Sequence, residues 1–257
     1  MRKTIIAGNW KMYKTIGQAI ELANGLKREL FKVDAAKIDI VICPVFTALS
    51  ETAEVVVNSN IALGCQDVYW QDEGAFTGEV SVPMAKDAGC KYVIIGHSER
   101  RQFFAETNET VNNKVKAVLK HGLTPIICCG ELLAEREGNK TFDVLTDHIQ
   151  NGLKGLSADD ALKCVIAYEP VWAIGTGKTA TPEQAQEAHK FIRGLLEKMY
   201  NKQTADAIRI QYGGSVKPEN ITELMSQPDV DGALVGGASL KVESFSEIIK
   251  QAEKVNK

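Results

Sequence analysis

Thr4-Ile5-Ile6-Ala7-Gly8-Asn9-Trp10-Lys11 is the stretch that decides the fold. Thr4 to Gly8 is short and almost continuously apolar, as suits a strand buried on both faces. A dinucleotide-binding doubly wound sheet carries G-x-G-x-x-G after such an early strand. Here the strand runs into Asn9, Trp10 and Lys11 instead.

Runs of the same kind recur at Ile38 to Cys43, Asn60 to Gly64, Tyr92 to Gly96, Thr124 to Cys129, Cys164 to Tyr168, Ile208 to Tyr212 and Gly232 to Val235. Helical patterns lie between them. Val111, Val115, Val118 and Leu119 share one helical face, as do Phe142, Leu145, Ile149 and Leu153. Thr181-Pro182-Glu183-Gln184 is a capping box with proline at the first helical position. Its helix turns Ala185, Ala188, Ile192, Leu195, Leu196 and Met199 inward. Weaker patterns cover 18–32, 47–57, 83–88, 220–225 and 244–254. Eight strands alternating with eight helices over roughly 250 residues is the arithmetic of an α/β (β/α)8 barrel, eight parallel strands inside a ring of helices. An open doubly wound sheet shows the same alternation and is the competitor. No linker or low-complexity tract interrupts residues 1–257, so one domain is expected.

Composition narrows the function. The 257 residues are 44% hydrophobic and 25% charged, ordinary globular values. Thirty Lys and Arg against 33 Asp and Glu give a net charge of −3, which leaves no basic surplus for nucleic acid or an anionic membrane. No apolar run approaches the ~20 residues of a membrane span. The first apolar stretch is broken by Asn9, Trp10 and Lys11, too early for a signal peptide. Cys43, Cys65, Cys90, Cys128, Cys129 and Cys164 sit in or beside apolar runs without a C-x-x-C pair. Reduced, buried thiols and a cytoplasmic location are therefore expected.

In a barrel of this kind the chemistry sits where strands end. Asn9 and Lys11 follow the first strand, His97, Ser98, Glu99 and Arg100 the fourth, and Glu169 the sixth. A Lys, a His and a Glu thus meet at one rim, though each alone is as readily a solvated charge or a packed residue. Gly213-Gly214-Ser215 follows strand seven, and Gly236-Gly237 follows strand eight. Paired glycines after these two strands let backbone N–H groups approach an anion, and phosphate is expected there. His121, His148 and His189 belong to helices, and no His/Cys cluster supports a metal site. Gly175-Thr176-Gly177-Lys178 is not a P-loop, because Trp172 stands where that motif needs glycine. The loop from Pro170 to Thr181 combines glycines with Val171, Trp172 and Ile174 and suits a closing lid. The connection 66–81 carries Val68, Tyr69, Trp70 and Phe76, a load that either docks into a partner or folds back.

Four motifs in order resemble the triosephosphate isomerase family. They are Ala7-Gly8-Asn9-Trp10-Lys11-Met12, Ile95-Gly96-His97-Ser98-Glu99-Arg100-Arg101, Ala167-Tyr168-Glu169-Pro170-Val171-Trp172-Ala173-Ile174-Gly175-Thr176-Gly177 and Tyr212-Gly213-Gly214-Ser215-Val216. The segment Asp231 to Ser239 extends the likeness to nearly the whole chain. The resemblance implies a TIM barrel that interconverts dihydroxyacetone phosphate and D-glyceraldehyde 3-phosphate through an enediol(ate), with no cofactor and no metal. It implies that Glu169 is the general base, His97 a neutral electrophile, Lys11 the balancing charge and Asn9 a donor to the developing oxyanion. It assigns the phosphate to Gly175, Ser215, Gly236 and Gly237, and the lid to Ile174, Gly175, Thr176 and Gly177. It implies a homodimer whose loop with Trp70, Phe76 and Thr77 reaches the partner's site. Tyr13 and Asp67 stand where members often carry Asn, and Cys65 where Ala is frequent, exposing the dimer loop to thiol reagents.

Two other classes fit the bare residues. A barrel aldolase needs a Schiff-base lysine or a metal-bound enolate, and the strands hold no interior lysine. A phosphosugar-binding barrel would keep the Gly-Gly turns and could lose Glu169, His97 and Lys11.

Overall fold

The computed structural model describes residues 2–174 and 179–255. Eight parallel strands close into a barrel in sequence order: β1 Thr4–Asn9, β2 Ile38–Cys43, β3 Ile61–Cys65, β4 Tyr92–Ile95, β5 Thr124–Cys129, β6 Val165–Tyr168, β7 Arg209–Tyr212 and β8 Gly232–Val235. Closure is made by β1, which pairs with β2 on one side (Asn9 opposite Cys43) and with β8 on the other (Gly8 opposite Val235). The doubly wound alternative is thereby excluded.

Alternation of side chains explains why the strands look apolar throughout. Ile5 and Ala7 of β1 point into a small inner core with Val41, Ile94, Ile126 and Leu234. Ile6, between them, joins the larger core between sheet and helices. Both faces are buried, so neither demands polar residues. The long helix Pro182–Met199 starts as its sequence requires: Gln184 N–H donates to Thr181 Oγ1 at 3.2 Å, and Thr181 N–H to Gln184 Oε1 at 3.0 Å.

Several expectations are corrected. Among the described residues there are twelve α-helices and three 3-10 turns, not eight helices. Ser98–Phe103, Leu133–Glu137, Ala158–Ala161 and Lys202–Ala207 are too short to display an apolar period. Strand ends move by one residue at 8–9, 60–61, 64–65, 95–96, 164–165 and 208–209. Phe142 is not part of the buried stripe; it is 39% exposed and packs against Phe191 with tilted rings whose centroids are 4.3 Å apart. Val68 is buried and Trp70 packs against the core, so the apolar load of 66–81 mostly folds back. Phe76 stays 40% exposed and lies 4.5 Å from the Tyr69 ring. Cys65 ends β3 rather than entering the loop, and it is fully buried. A hydrogen bond with Cys90 and burial push its thiol well up, which shields it from reagents. All six cysteines are free and buried.

Candidate active site

The rim at the strand ends holds a cavity of about 310 Å³. Asn9, Lys11, His97 and Glu169 line it together with Ser215, Gly236, Gly237 and Ile174. The rim thus gathers every catalytic and phosphate-site residue expected from the sequence that lies among the described residues. Gly175, Thr176 and Gly177 lie outside the described residues. Trp70, Phe76 and Thr77 do not line the cavity of their own chain.

His97 is placed by a sharp change of direction. Gly96, at φ +72°, turns β4 out of the barrel in a conformation costly for a residue with a Cβ. His97 then caps the helix Ser98–Phe103: its Nδ1 accepts the Glu99 N–H at 3.2 Å. An Nδ1 that accepts carries no proton, so in the neutral ring the proton sits on Nε2. Nε2 lies 3.0 Å from Glu169 Oε1.

Glu169 follows β6 and is 2% exposed. The Ser98 N–H donates to its Oε2 at 3.0 Å. Burial alone would raise its pKa, but the facing His97, the Ser98 N–H and Lys11 outweigh burial and hold the carboxyl below its ordinary value. In this arrangement burial therefore does not make the carboxylate more basic. His97 responds in the opposite sense: burial disfavours its charged form, yet the Glu169 carboxylate raises its proton affinity. The Glu99 N–H at Nδ1 opposes full protonation, since an imidazolium would set N–H against N–H.

Lys11 lies just past β1 at φ +50°, a strain of ~1–3 kcal/mol for a residue with a Cβ. Its Nζ is 2.5 Å from Glu99 Oε1. Asn9 Oδ1 accepts the Lys11 N–H at 3.0 Å, which leaves the Asn9 NH2 group as the end able to donate. Opposite Glu169, a Cβ built on Gly213 would stand 2.8 Å from Glu169 Cγ, so only glycine fits beside the carboxylate.

Four residues of this region have roles that the sequence did not assign. Glu99 pairs Lys11, Ser98 holds Glu169, and Gln66 donates to the Lys11 carbonyl at 2.8 Å. Glu131, fully buried, accepts Trp172 Nε1–H at 2.8 Å and the Tyr168 hydroxyl at 3.1 Å, anchoring the chain that leads to Ile174. Glu131 follows β5, so the strand-end rule would have found it had it been applied there. Asp67 is buried beside Lys114 (2.7 Å) and Arg100 (2.8 Å), and burial pushes its pKa up to about 6.

A carboxylate, an imidazole and an ammonium facing a Gly-rich anion cradle can move a proton next to a carbonyl while donors absorb the charge that develops. A family model described as triosephosphate isomerase matches residues 4–252. The chain is 58% identical to the triosephosphate isomerase of Geotalea uraniireducens over 98% of its length and 100% of that protein. It is 58% identical to that of Moorella thermoacetica (97% of this chain, 98% of that one) and 57% identical to that of Fusobacterium nucleatum (97% and 99%).

Proposed function

The chain belongs to the triosephosphate isomerase family, and from that premise we propose how its own residues divide the chemistry. The enzyme is an isomerase of glycolysis that interconverts dihydroxyacetone phosphate and D-glyceraldehyde 3-phosphate through an enediol(ate). Glu169 removes the proton from the carbon next to the carbonyl. His97, neutral and protonated on Nε2, polarises the carbonyl oxygen and moves the proton between the two oxygens. A glutamate base beside a neutral imidazole is the known arrangement of this family, so the pairing is inherited rather than new. Lys11 balances the charge, and the Asn9 NH2 donates to the oxygen where it develops. Ser215, Gly236, Gly237 and Gly175 hold the phosphate through N–H groups, and residues 174–177 serve as the lid.

One observation carries this division: Glu169 Oε1 and His97 Nε2 stand 3.0 Å apart in the cavity that also holds Lys11 and the two Gly-rich turns. The base is fastened to Ser98 and His97 before substrate arrives. Substrate would take the His97 Nε2–H, and Glu169 would leave both partners, gaining basicity as it does so.

Residues 1–257 act as one domain, in the cytoplasm, as a homodimer. Met12, Tyr13, Phe76 and Phe104 are 90%, 58%, 40% and 64% exposed, an apolar load suited to a partner. A second cavity of about 260 Å³, between Lys11, Glu99, Arg100 and Phe104, suits the tip of a partner's loop with Thr77. No helix among the described residues is long and apolar enough to cross a membrane.

The deciding experiment is isomerase turnover of D-glyceraldehyde 3-phosphate, coupled to reduction of the product, for wild type beside Glu169→Ala. Turnover is expected to fall by at least ~10³-fold while a phosphate ligand still binds, because the phosphate is held elsewhere. Equal loss of binding would overturn the division.

A further inference from the structure

Lys11, with φ at +50°, has a backbone that its neighbours must hold, because the left-handed region is disfavoured for a residue with a Cβ. Two side chains hold it. Asn9 Oδ1 takes the Lys11 N–H at 3.0 Å. Gln66 Nε2 donates to the Lys11 carbonyl at 2.8 Å and to the Cys43 carbonyl at 2.9 Å. Cys43 faces Asn9 across the β1–β2 ladder, and its carbonyl also accepts the Trp10 N–H at 3.1 Å. The two amide hydrogens of Gln66 therefore fasten the chain just past the end of β1 to the end of β2. From that clamped backbone the Lys11 side chain lines the cavity, and its ammonium pairs with Glu99.

We infer that Gln66 is a positioning residue of the isomerase: it fixes where the Lys11 ammonium stands by holding Lys11 in its left-handed conformation. Gln66 touches the backbone, not the reacting atoms. It is also the first residue after β3, at the root of the segment 66–81. A displacement of that segment reaches Lys11 through one side chain. The inference rests on the role proposed above for Lys11.

The test is a double-mutant cycle with Gln66→Met, which keeps the length of the side chain and removes both donors, and Lys11→Met. In the wild-type background Gln66→Met is expected to lower kcat/KM about 10–100-fold, the scale of an ångström-sized misplacement. In the Lys11→Met background it is expected to cost no more than about twofold, in kcat/KM and in the affinity for glycerol 3-phosphate. Equal losses in both backgrounds, or no loss in wild type, would overturn the inference, since a purely structural glutamine acts whatever stands at 11. Full activity of Lys11→Met alone would instead remove the premise about Lys11 and the inference with it. Circular dichroism checks folding. If Gln66→Met does not fold, Gln66→Glu, whose carboxylate would face two carbonyls, goes through the same cycle with the same criteria.

Discussion

The backbone N–H of Ser98 donates to Oε2 of Glu169 at 3.0 Å, tying that carboxylate to the first residue of the helix Ser98–Phe103. A donor aimed at a carboxylate stabilises its charged form. Proline is tolerated at the first helical position and lacks the N–H, and His97 already has the extended ψ of 140° that a residue before proline needs. Ser98→Pro thus deletes the bond while sparing the helix, and its Cδ, standing where the N–H was, also pushes the carboxylate away. The acid limb of the kcat/KM profile is expected to move up by roughly one pH unit. Ser98→Ala, which keeps the N–H, should leave it in place. A pH–rate series on the two variants checks this.

Gly213 faces Glu169 from the other side. A methyl there would stand 2.8 Å from Glu169 Cγ and 3.2 Å from the Tyr168 carbonyl. Gly213→Ala should displace the carboxylate and lower kcat/KM by roughly 10²-fold. Gly194→Ala, whose Cβ meets nothing within 4 Å, is the control and should keep full activity. Steady-state kinetics on both decide it.

His148 gives the fold a dependence on pH. Burial, helped by the Arg101 charge, lowers its pKa to about 4, and its Nδ1 accepts the Gly130 N–H at 3.3 Å. The folded pKa lies below the unfolded value, so the unfolded chain binds the proton first as pH falls. The contribution is complete above about pH 6.5 and is lost toward pH 4, at most roughly 3 kcal/mol. Urea unfolding at pH 7.5, 5.5 and 4.5 should show a smaller loss for His148→Gln than for wild type. Parallel curves would count against it.

Phe76 is the aromatic residue of 66–81 that the chain's own core leaves half uncovered, whereas Trp70 packs inward. A charge cannot easily be buried in an apolar interface. For the homodimer proposed above, Phe76→Asp is expected to shift the sedimentation profile from dimer to monomer at equal dilution. An unchanged sedimentation profile over the dilution series would refute it.

What the sequence displayed, and what it hid, follows from the range of each signal. Glu169, His97 and Lys11 were legible because each closely follows an apolar run, and strand ends face the cavity in this fold. The helix Ser98–Phe103 was not, because Ser-Glu-Arg-Arg-Gln-Phe has no apolar stripe. It is held instead by contacts to other parts of the chain: Arg101 Nε donates to the Gly96 carbonyl at 2.9 Å and its Nη2 to the Cys128 carbonyl at 3.4 Å. Gln66 was hidden for a like reason. Its partners, Lys11 and Cys43, are 55 and 23 residues away, and nothing local marks a glutamine that clamps two carbonyls. Phe142 misled because a helical period places a residue on a face without saying how far its neighbour covers it: the ring meets Phe191 and stays part-exposed.

Barrel closure through β1 and β8 has a consequence for refolding. Lys11 follows β1 and Gly236 follows β8, the two strands furthest apart in the chain, while His97 and Glu169 follow β4 and β6. A Cβ on Gly236 would touch the Lys11 side chain at 3.4 Å, so the two meet across the seam. A half with β5 to β8 holds Glu169 and both Gly-rich turns, and a half with β1 to β4 holds Lys11 and His97, so neither half has both sides of the seam. Recovered turnover after dilution from denaturant therefore requires that long-range pairing, a kind of event that is slow to nucleate.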